Sequence, residues 1–511
     1  MAPSRSRRRR APVISLLLGG DQDGAPLYTR VYRQLREHIL RGTLGPSARL
    51  PSARELAADL RLSRNTVEAA FMQLQAEGFI RRRIGAGTFV AETVPEATPW
   101  SRSGRGRRGG SAGRGSEPPA AGSRVDLSRR GQLIAGLGAR EIERDRPLGA
   151  CATDLSGFPA QTWNRLLARR ARRAGSTVLA TSDPAGVPAL RRAIAEYVRL
   201  ARGVHCESGQ VLVVNSAQQA LDLAARLLLD PGATAAMEEP GYPSARAALQ
   251  AAGASVRPVP VDRDGLVASA LPVDPEVRLL YTTPSHQFPL GVTMGLGRRL
   301  AVLRWAAAVG AWVIEDDYDS EFQYGGRPIA ALQGLDTAGR TVYVGTFNKV
   351  LFPGLRLAYL IVPPALVDAF AAGRRILDGF SSPLLQSALA DFIAEGHFTA
   401  HLRQARRRYA GCRDALVGGI ATAWGDAVRL GPSDTGLHLA AHLPEGSDDV
   451  RIARAAPEGD VGVTPLSDYY HGGARRPGLL LSYGAATPEG IRRAVEGLAP
   501  HVVRTAGSAR R

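Results

Sequence analysis

A single lysine, Lys349, is the most informative residue of this 511-residue chain, because the other basic residues among its 65 are all arginine. Arginine equals lysine as a cation. Its guanidinium, however, keeps its proton near neutral pH and cannot attack a carbonyl to form an imine. The retained lysine therefore indicates a position where a primary amine is required. A GC-rich coding bias that spared one codon by chance is the alternative.

Acidic side chains and a second strand complete a possible cofactor site. The apolar run 312–314 leads into the acidic segment 315–319, and a strand that ends in this way presents a ligand site in an open α/β sheet. Another apolar run, Val211–Val214, turns directly into a helix at Ser216, and the free amides of a helix start favour a phosphate. Pyridoxal phosphate (PLP) requires an amine, a carboxylate and such a phosphate cradle. Each strand alone would be ordinary scaffold.

Three stretches in this order, 283–291, 314–322 and 345–356, resemble the fold-type I aminotransferases. Within that group the chain is most similar to the MocR branch of GntR-type bacterial regulators, in which a winged helix is fused to an aminotransferase-like domain. The resemblance implies an α/β fold, PLP as cofactor, double-stranded DNA as partner, a homodimer, and a small-molecule effector that is either PLP or an amine.

The resemblance also implies roles for individual residues. Lys349 would form the Schiff base with PLP, and Asp316 would pair with the pyridine nitrogen. Tyr318 would hydrogen-bond the ring hydroxyl, and Tyr242 would stack on the ring. The remaining cofactor contacts would be Ser216, Ala217, Gln218, Thr346, Asn348 and Arg356 at the phosphate, with His286 and Gln287 near the ring hydroxyl.

One departure from the family pattern bears directly on activity. Leu480 stands where aminotransferases carry the arginine that clamps a substrate carboxylate, and bidentate arginine pairing is the main source of amino-acid orientation. We therefore expect at most partial transamination, and no amino acid effector held in the usual way. Structural alternatives also stay open for three residues: Asp317 and Asp319 as solvated loop acids, and Tyr242 as a packed core aromatic.

The amino-terminal quarter independently predicts a winged helix-turn-helix domain at 26–92. Ser52 and Glu55 have the spacing of a capping box, and Ser63 can cap the next helix. Two helices this close form the helix-turn-helix arrangement, and two short strands after them form a wing. The predicted segments are the helices Leu27–Leu40, Ala53–Leu60 and 63 to about 77, and the wing strands 79–83 and 88–90.

The start of the second helix of such a motif faces base edges in the major groove. Arg64 and Asn65 suit that position, because arginine reads guanine and asparagine reads adenine. The alternative is that Arg64 and Arg54 only solvate an exposed helix face. The predicted DNA-binding residues, including those that would meet phosphates, are Arg54, Ser63, Arg64, Asn65, Thr66 and Gly87.

Positive charge is concentrated at the amino-terminal end. Residues 1–124 hold 22 arginines and 10 acids, so they carry +12 of the formal net charge of +18. The segment 1–25, with Arg5 and the run 7–10, predicts a basic arm that adds non-specific phosphate contacts. The stretch 93–124 is rich in Gly, Ser and Arg and predicts a flexible linker. An RNA-binding tract is the less favoured alternative there, because aromatic residues are not interleaved.

Residues 125–511 alternate strand-like and helix-like segments, which predicts a mostly parallel α/β sheet and a smaller part from about 370. Three sparse cysteines, Cys151, Cys206 and Cys412, lack metal-ligand spacing and indicate reduced thiols, no metal site and a cytoplasmic location. Neither an export signal nor a membrane span fits the sequence. The predicted strands are Val211–Val214, 233–237, 278–281, 312–315, 341–344 and 359–362.

Two classes of function therefore remain. The first is a DNA-binding transcription regulator that senses PLP or an amine and controls PLP or amino-acid metabolism. The second is an active aminotransferase that carries a DNA-binding domain. Sustained turnover of an amino donor and a keto acid would distinguish the second class from the first.

Overall fold

The chain divides into two compact units, Met1–Ser123 and Arg124–Arg511. The predicted arm 1–25 and the predicted linker 93–124 lie outside the described residues, as do Gly85 and Cys151. The computed structural model describes residues 26–83, 86–92, 127–138, 147–149, 153–173, 175, 180–274, 276–325, 330–456, 461–472 and 475–509.

The described residues of the first unit form three helices and a three-stranded antiparallel sheet of order β1-β3-β2, which is the predicted winged helix. The apolar faces of the helices pack on one another and on the wing, burying Val31, Leu35, Val67, Phe71 and Phe79. The elements are α1 (Leu27–Leu40), β1 (Arg49–Leu50), α2 (Ala53–Leu60), α3 (Arg64–Ala76), β2 (Ile80–Arg83) and β3 (Gly87–Val90).

Local signals set the start of α2 and α3. The Ser52 hydroxyl accepts from the Glu55 amide at 3.2 Å, and the Glu55 carboxylate accepts from the Ser52 amide at 2.8 Å, so the predicted capping box is present. The Ser63 hydroxyl accepts from the Thr66 amide at 3.1 Å. Between the helices Arg61 takes a left-handed conformation, with φ of 55°. The short turn and the two caps therefore fix where α3 begins.

The second unit is built on an eight-stranded sheet of order β4-β11-β10-β9-β8-β5-β6-β7. Strands β10, β9, β8, β5 and β6 run parallel, whereas β11 is antiparallel to both of its neighbours. The strands are β4 (Val211–Val214), β5 (Thr234–Glu239), β6 (Ser255–Asp262), β7 (Gly265–Leu266), β8 (Val277–Thr282), β9 (Trp312–Asp317), β10 (Thr341–Thr346) and β11 (Ala358–Ile361).

The mostly parallel sheet confirms the expected fold class, but the sequence did not predict β6 and β7. Strand β6 contains Pro258 and Pro260, which lack the amide that a sheet ladder uses. On its outer side, β7 pairs only with Val261 and Asp262. Prolines are tolerated on such a poorly paired edge.

Helices cover both faces of this sheet. Along β4 the side chains alternate between two core clusters: Val211 and Val213 enter one, whereas Leu212 and Val214 enter the other. Burial on both faces explains why the strand is apolar throughout. The helices are α4 (Arg129–Gly138), α5 (Ala160–Arg173), α6 (Pro188–Arg202), α7 (Ala217–Leu228), α8 (Pro243–Ala251), α9 (Leu296–Val309), α10 (Val367–Leu377) and α11 (Pro383–Ala394).

A second, four-stranded antiparallel sheet of order β12-β13-β15-β14 follows. No helix in the described part of the chain is long and apolar enough to cross a membrane. The last elements are α12 (His397–Ala423), β12 (Arg429–Leu430), β13 (His438–His442), α13 (Asp449–Ala455), β14 (Thr464–Pro465), β15 (Gly478–Ser482) and α14 (Pro488–Ala509).

Candidate functional site

Three adjacent parallel strands end at one edge of the large sheet. In β9, Asp316 lies opposite Val344 of β10, and β10 leads into the segment that carries Lys349. On the other side of β9, β8 places Tyr281 opposite Ile314. Because the carboxyl ends of parallel strands meet at one edge, the acid and the amine that the sequence singles out belong to neighbouring positions of the sheet.

Two consecutive acids of β9 have different surroundings. Oδ2 of Asp316 accepts from the Tyr281 hydroxyl at 2.8 Å, whereas its Oδ1 is buried and has no hydrogen-bond partner in the described part of the chain. Burial raises the pKa of Asp316 to about 7. Asp317 accepts from Arg202 at 2.8 Å and from the Tyr343 hydroxyl at 2.6 Å. Burial opposes ionisation of Asp317, but Arg202 and Tyr343 together hold the pKa of this carboxyl below its ordinary value.

The unpartnered oxygen of Asp316 fits a cationic ring nitrogen. A buried carboxylate loses the solvation of its charge, and a positive donor at Oδ1 would restore that stabilisation. The protonated pyridine nitrogen of PLP is such a donor. Asp317 also has a buried Oδ1 without a partner among the described residues, but Arg202 already neutralises this carboxylate, so Asp317 is unsuited to the contact.

The start of α7 has the features of a phosphate cradle. The Ser216 hydroxyl accepts from the Gln219 amide at 3.1 Å, and the first helical bond runs from the Ala220 amide to the Ser216 carbonyl. The amides of Ala217 and Gln218 precede that bond, at the positive end of the helix. The side chain of Gln218 donates to a carbonyl in the first turn of α8 at 3.0 Å. Backbone amides are therefore the natural phosphate donors here.

The loop after β10 positions the lysine. The Thr346 hydroxyl accepts from the Asn348 amide at 3.2 Å, and the Asn348 side-chain oxygen accepts from the Leu357 amide at 3.2 Å. These bonds close the loop that carries Lys349. Arg356, at the end of the loop, is exposed and has a left-handed φ of 53°. Contacts of Thr346, Asn348 and Arg356 with a phosphate stay predictions.

A buried group of histidines and an acid lies next to Tyr318. The Tyr318 hydroxyl donates to the His286 carbonyl at 2.9 Å, and Nδ1 of His286 lies 3.0 Å from Asp319. Asp317 and Asp319 are 3% and 1% exposed, so the interpretation of these acids as solvated loop residues is wrong. His438 was not predicted as a site residue, and its ring lies 4.5 Å from that of His286. A histidine inside a buried strand was the available signal.

Two neighbouring side chains have different roles: Tyr242 pairs with the ring of Phe288, and Gln287 holds the loop that carries His286. The rings of Tyr242 and Phe288 meet edge to face at 5.3 Å. The side chain of Gln287 donates to Glu238 at 3.2 Å and to the Pro240 carbonyl at 2.9 Å. The structure thus brings Tyr318 and His286 together, while Gln287 anchors the loop that carries His286.

Leu480 lies in an apolar environment. It stands opposite Ala440 in the β13–β15 ladder and is 1% exposed. Phe288 and Tyr469 belong to the same cluster of buried side chains. A guanidinium on α8, that of Arg246, donates to the Tyr469 carbonyl at 3.2 Å. The position of the expected carboxylate clamp is therefore filled by packed carbon.

In the first unit, the predicted base-reading residues lie at the exposed start of α3. Arg64 and Asn65 are exposed there, as is Arg54 in α2. The hydroxyls of Ser63 and Thr66 lie 2.8 Å apart, and that of Ser63 also caps the helix. Ser63 and Thr66 thus shape the start of α3, while Arg64 and Asn65 extend from it.

The wing adds an arginine that the sequence analysis missed. Gly87 has a left-handed φ of 115°, and a Cβ there would lie 3.1 Å from Nε of Arg49. Arg49 therefore runs alongside the wing, where phosphates are expected. Arg82 of β2 pairs with Glu68 of α3 at 2.5 Å, and its guanidinium lies 5.9 Å from the Phe71 ring centre. These contacts join the wing to α3.

Fold and site together define a winged-helix unit linked in one chain to an aminotransferase-like unit. Residues 27–90 match the family of bacterial regulatory proteins of the gntR type. Residues 150–498 match aminotransferase class I and II. The first match implies DNA binding, and the second implies use of PLP.

Individual relatives share this organisation. The probable rhizopine catabolism regulatory protein MocR of Rhizobium meliloti is 39% identical over 484 residues, which cover 94% of this chain and 95% of that protein. The pyridoxine biosynthesis regulator PdxR of Corynebacterium glutamicum is 31% identical over 472 residues, 91% of this chain and 93% of that protein. The chain therefore belongs to the MocR type of GntR-family transcription regulators, as its motifs predicted.

Among solved structures, the second unit resembles LysN of Thermus thermophilus. That α-aminoadipate aminotransferase, crystallised with N-(5'-phosphopyridoxyl)-L-leucine, has a TM-score of 0.67 and 26% identity. The similarity covers 73% of this chain and 97% of that protein. It confirms the fold-type I aminotransferase architecture.

Proposed function

We propose that this regulator binds PLP at the edge of the large sheet and changes its DNA binding when PLP or an amine occupies that site. One observation carries the proposal: the chain's only lysine follows β10, next to the strand on which the Asp316 Oδ1 is buried without a partner. PLP supplies an aldehyde and an electron-withdrawing ring, and Lys349 supplies the primary amine to which that aldehyde attaches.

The other residues bind and orient the cofactor in this proposal. Asp316 holds the ring nitrogen, Tyr318 the ring hydroxyl, and Tyr242 covers the ring face. His286 fixes Tyr318 through its carbonyl. The proposed phosphate contacts are Ser216, Ala217, Gln218, Thr346, Asn348 and Arg356.

Relatives support the choice of signal. The names of two relatives refer to pyridoxine biosynthesis and to rhizopine catabolism, so we propose PLP or an amine as the effector and a role in PLP or amino-acid metabolism. We also propose a cytoplasmic homodimer. Two copies would present two α3 helices to a two-part operator.

Borohydride trapping tests the site directly. Because the chain has one lysine, reduction with PLP can fix a pyridoxyl group only at Lys349 or at the terminal amine, and peptide mass mapping distinguishes the two. Lys349→Arg keeps the positive charge but removes the amine, so we expect trapping at this position to disappear. Retention of the same trapped amount in the intact Lys349→Arg protein would overturn the assignment.

Fluorescence anisotropy on the gene's own upstream DNA tests the regulatory step. At fixed salt, PLP should produce a saturable change in affinity for wild-type protein and none for Lys349→Arg. A ligand shifts such an equilibrium only by its difference in affinity for the two states. Identical DNA affinity with and without PLP, and with and without added amines, would contradict regulation through this site.

An active aminotransferase is the second candidate, favoured by the likeness to LysN. The apolar surroundings of Leu480 oppose it, because an amino acid would lack its usual carboxylate partner. Steady-state turnover of an amino donor with a keto acid distinguishes an active aminotransferase from a regulator. Many turnovers per site would support the enzyme, whereas a single half-reaction or none would support the regulator.

A further inference from the structure

Two buried imidazoles next to the proposed PLP site each have a ring nitrogen without a partner among the described residues. His286 and His438 are 1% and 4% exposed, and within the described ranges the Nε2 atom of each has no hydrogen-bond partner. The ring of His438 is stacked on that of Tyr318, with centres 6.3 Å apart. Burial, with His286 and Lys349 close by, lowers the pKa of His438 well below its ordinary value. This imidazole is therefore neutral and lies near the amine.

In each ring the other nitrogen, Nδ1, is assigned as the hydrogen-bond donor. Nδ1 of His286 faces the Asp319 carboxylate at 3.0 and 3.1 Å, and a carboxylate accepts, so the proton lies on Nδ1. The ring of His438 bonds the backbone of Pro289. Proline has no amide, so only its carbonyl can accept, and because Nε2 has no partner among the described residues we assign the donor as Nδ1. In the neutral ring of His438, Nε2 is thus an acceptor.

The side of the site next to these histidines is apolar at the position where an aminotransferase would bind a substrate carboxylate. His438 and Ala440 alternate onto one face of β13, and Leu480 lies opposite Ala440 in β15. Phe288 packs edge to face against His438, with ring centres 5.3 Å apart. Lone pairs and packed carbon repel a carboxylate, whereas they suit a neutral group that donates hydrogen bonds.

We propose that the effector side of this site selects a primary amine that carries a hydroxyl group in place of a carboxylate, with His438 as the acceptor for that hydroxyl. The unpartnered Nε2 of His286 lies on the neighbouring ring, whose centre is 4.5 Å from that of His438, and Leu480 excludes the anion. The inference rests on the proposed function, because the amine of the effector must meet the PLP held at Lys349.

A metal ion is the less suitable occupant of this cluster. His286, Asp319 and His438 each offer an atom within 4.8 Å of the others. Asp319, however, already accepts from His286 and from the Leu437 amide at 3.1 Å. Two imidazole nitrogens remain, which is short of the three or four protein ligands that zinc usually takes.

Three small amines of similar size test the preference in the full-length, PLP-loaded protein. Serinol carries two hydroxyls, L-serine exchanges one hydroxymethyl for a carboxylate, and isopropylamine has neither group. We expect the change in cofactor absorbance, and the change in DNA affinity, to be half-saturated at an about tenfold lower concentration of serinol than of either other amine. Equal or tighter response to L-serine would overturn the proposal.

Two variants assign the preference to residues. His438→Phe keeps a ring but removes the acceptor, so the ratio between serinol and isopropylamine should fall to about one. Leu480→Arg should invert the order and make L-serine the tighter ligand. His442→Phe, on the same strand but beside Arg429 and Arg476, is the control and should retain the wild-type order. An unchanged serinol preference in PLP-loaded His438→Phe would remove His438 from the site.

Borohydride trapping distinguishes failure of the proposed function from failure of this inference alone. If PLP cannot be trapped at Lys349, the proposed function fails, and this inference fails with it. If PLP is trapped there but L-serine is preferred over serinol, only the present inference is overturned.

Discussion

At the scale of single residues, Asp316 and Asp317 are adjacent in β9 but differ in role because their surroundings differ. Asp317 neutralises the buried Arg202 and is part of the support of the sheet edge. Asp316 keeps one oxygen without a partner and has a pKa raised by burial. Environments that push the pKa values of adjacent acids apart are typical of functional sites.

Replacement of Asp316 by Asn tests this assignment. The ordinary pKa of 3.8 rises to about 7 in the fold. The protonated form is therefore favoured, and its stabilising contribution, complete below pH about 4, is lost as the pH rises through 7. Asn mimics the neutral form, so the PLP-free variant at pH 8 should be more stable than wild type by a few kcal/mol. Its PLP affinity should fall about 10- to 100-fold.

Thermal unfolding at pH 4 and pH 8, with PLP titration by absorbance, measures both effects. Asp317→Asn is the matched control, because it leaves Arg202 buried without its ion-pair partner. We expect that variant to lose about 3–5 kcal/mol of stability. Destabilisation of Asp316→Asn at pH 8, or unaltered PLP affinity, would contradict the role of Asp316.

Arg64→Ala tests base reading in the first unit. The side chain is exposed at the start of α3, and loss of a bidentate contact with guanine costs about 1–3 kcal/mol of discrimination. Affinity for the operator should therefore fall much more than affinity for random DNA at the same salt. An equal loss on both would place Arg64 on phosphates only.

At the scale of elements, the helix starts are the features that this sequence predicts best. The periodicity of apolar residues and the caps at Ser52 and Ser63 predicted α1, α2 and the start of α3, because these signals act within a few residues of chain. Strand β6 escaped prediction for the opposite reason. Its pairing with β5 comes from the sheet, whereas Pro258 and Pro260 locally disfavour a strand.

The cap of α3 separates a structural role from DNA binding. Ser63→Ala removes the acceptor for the Thr66 amide and should destabilise the first unit by about 1 kcal/mol. Ser63→Asp preserves that acceptor and suits the helix dipole, so stability should be kept while its charge repels phosphates. Melting of the full chain, with DNA titrations of both variants, gives the comparison. Unweakened DNA binding by Ser63→Asp would place Ser63 away from the DNA.

At the scale of the whole molecule, charge is distributed unevenly. Residues 1–124 carry +12 of the net +18, including five arginines at positions 5 and 7–10. Counterion release links each phosphate contact to the salt dependence of affinity, with a slope of about −0.9 for each contact. The amino-terminal part should therefore dominate the salt dependence of binding.

Replacement of these five arginines by alanine should make the slope of log affinity against log salt shallower by up to about 4. The ratio of operator to random-DNA affinity should stay the same, because phosphate contacts carry no sequence information. Anisotropy titrations at several salt concentrations measure both quantities. An unaltered slope would show that this segment does not contact DNA.

The sequence by itself determined the family and the fold class, and it singled out Lys349, Asp316 and Leu480 as candidates, because these depend on residue type and local spacing. Only the tertiary structure decided that Asp319 is buried and that His438 lies near Lys349. Those facts require strands and loops that are far apart in the chain to meet, and the burial of a single oxygen or nitrogen depends on that meeting. Local sequence patterns cannot predict which distant segments come into contact.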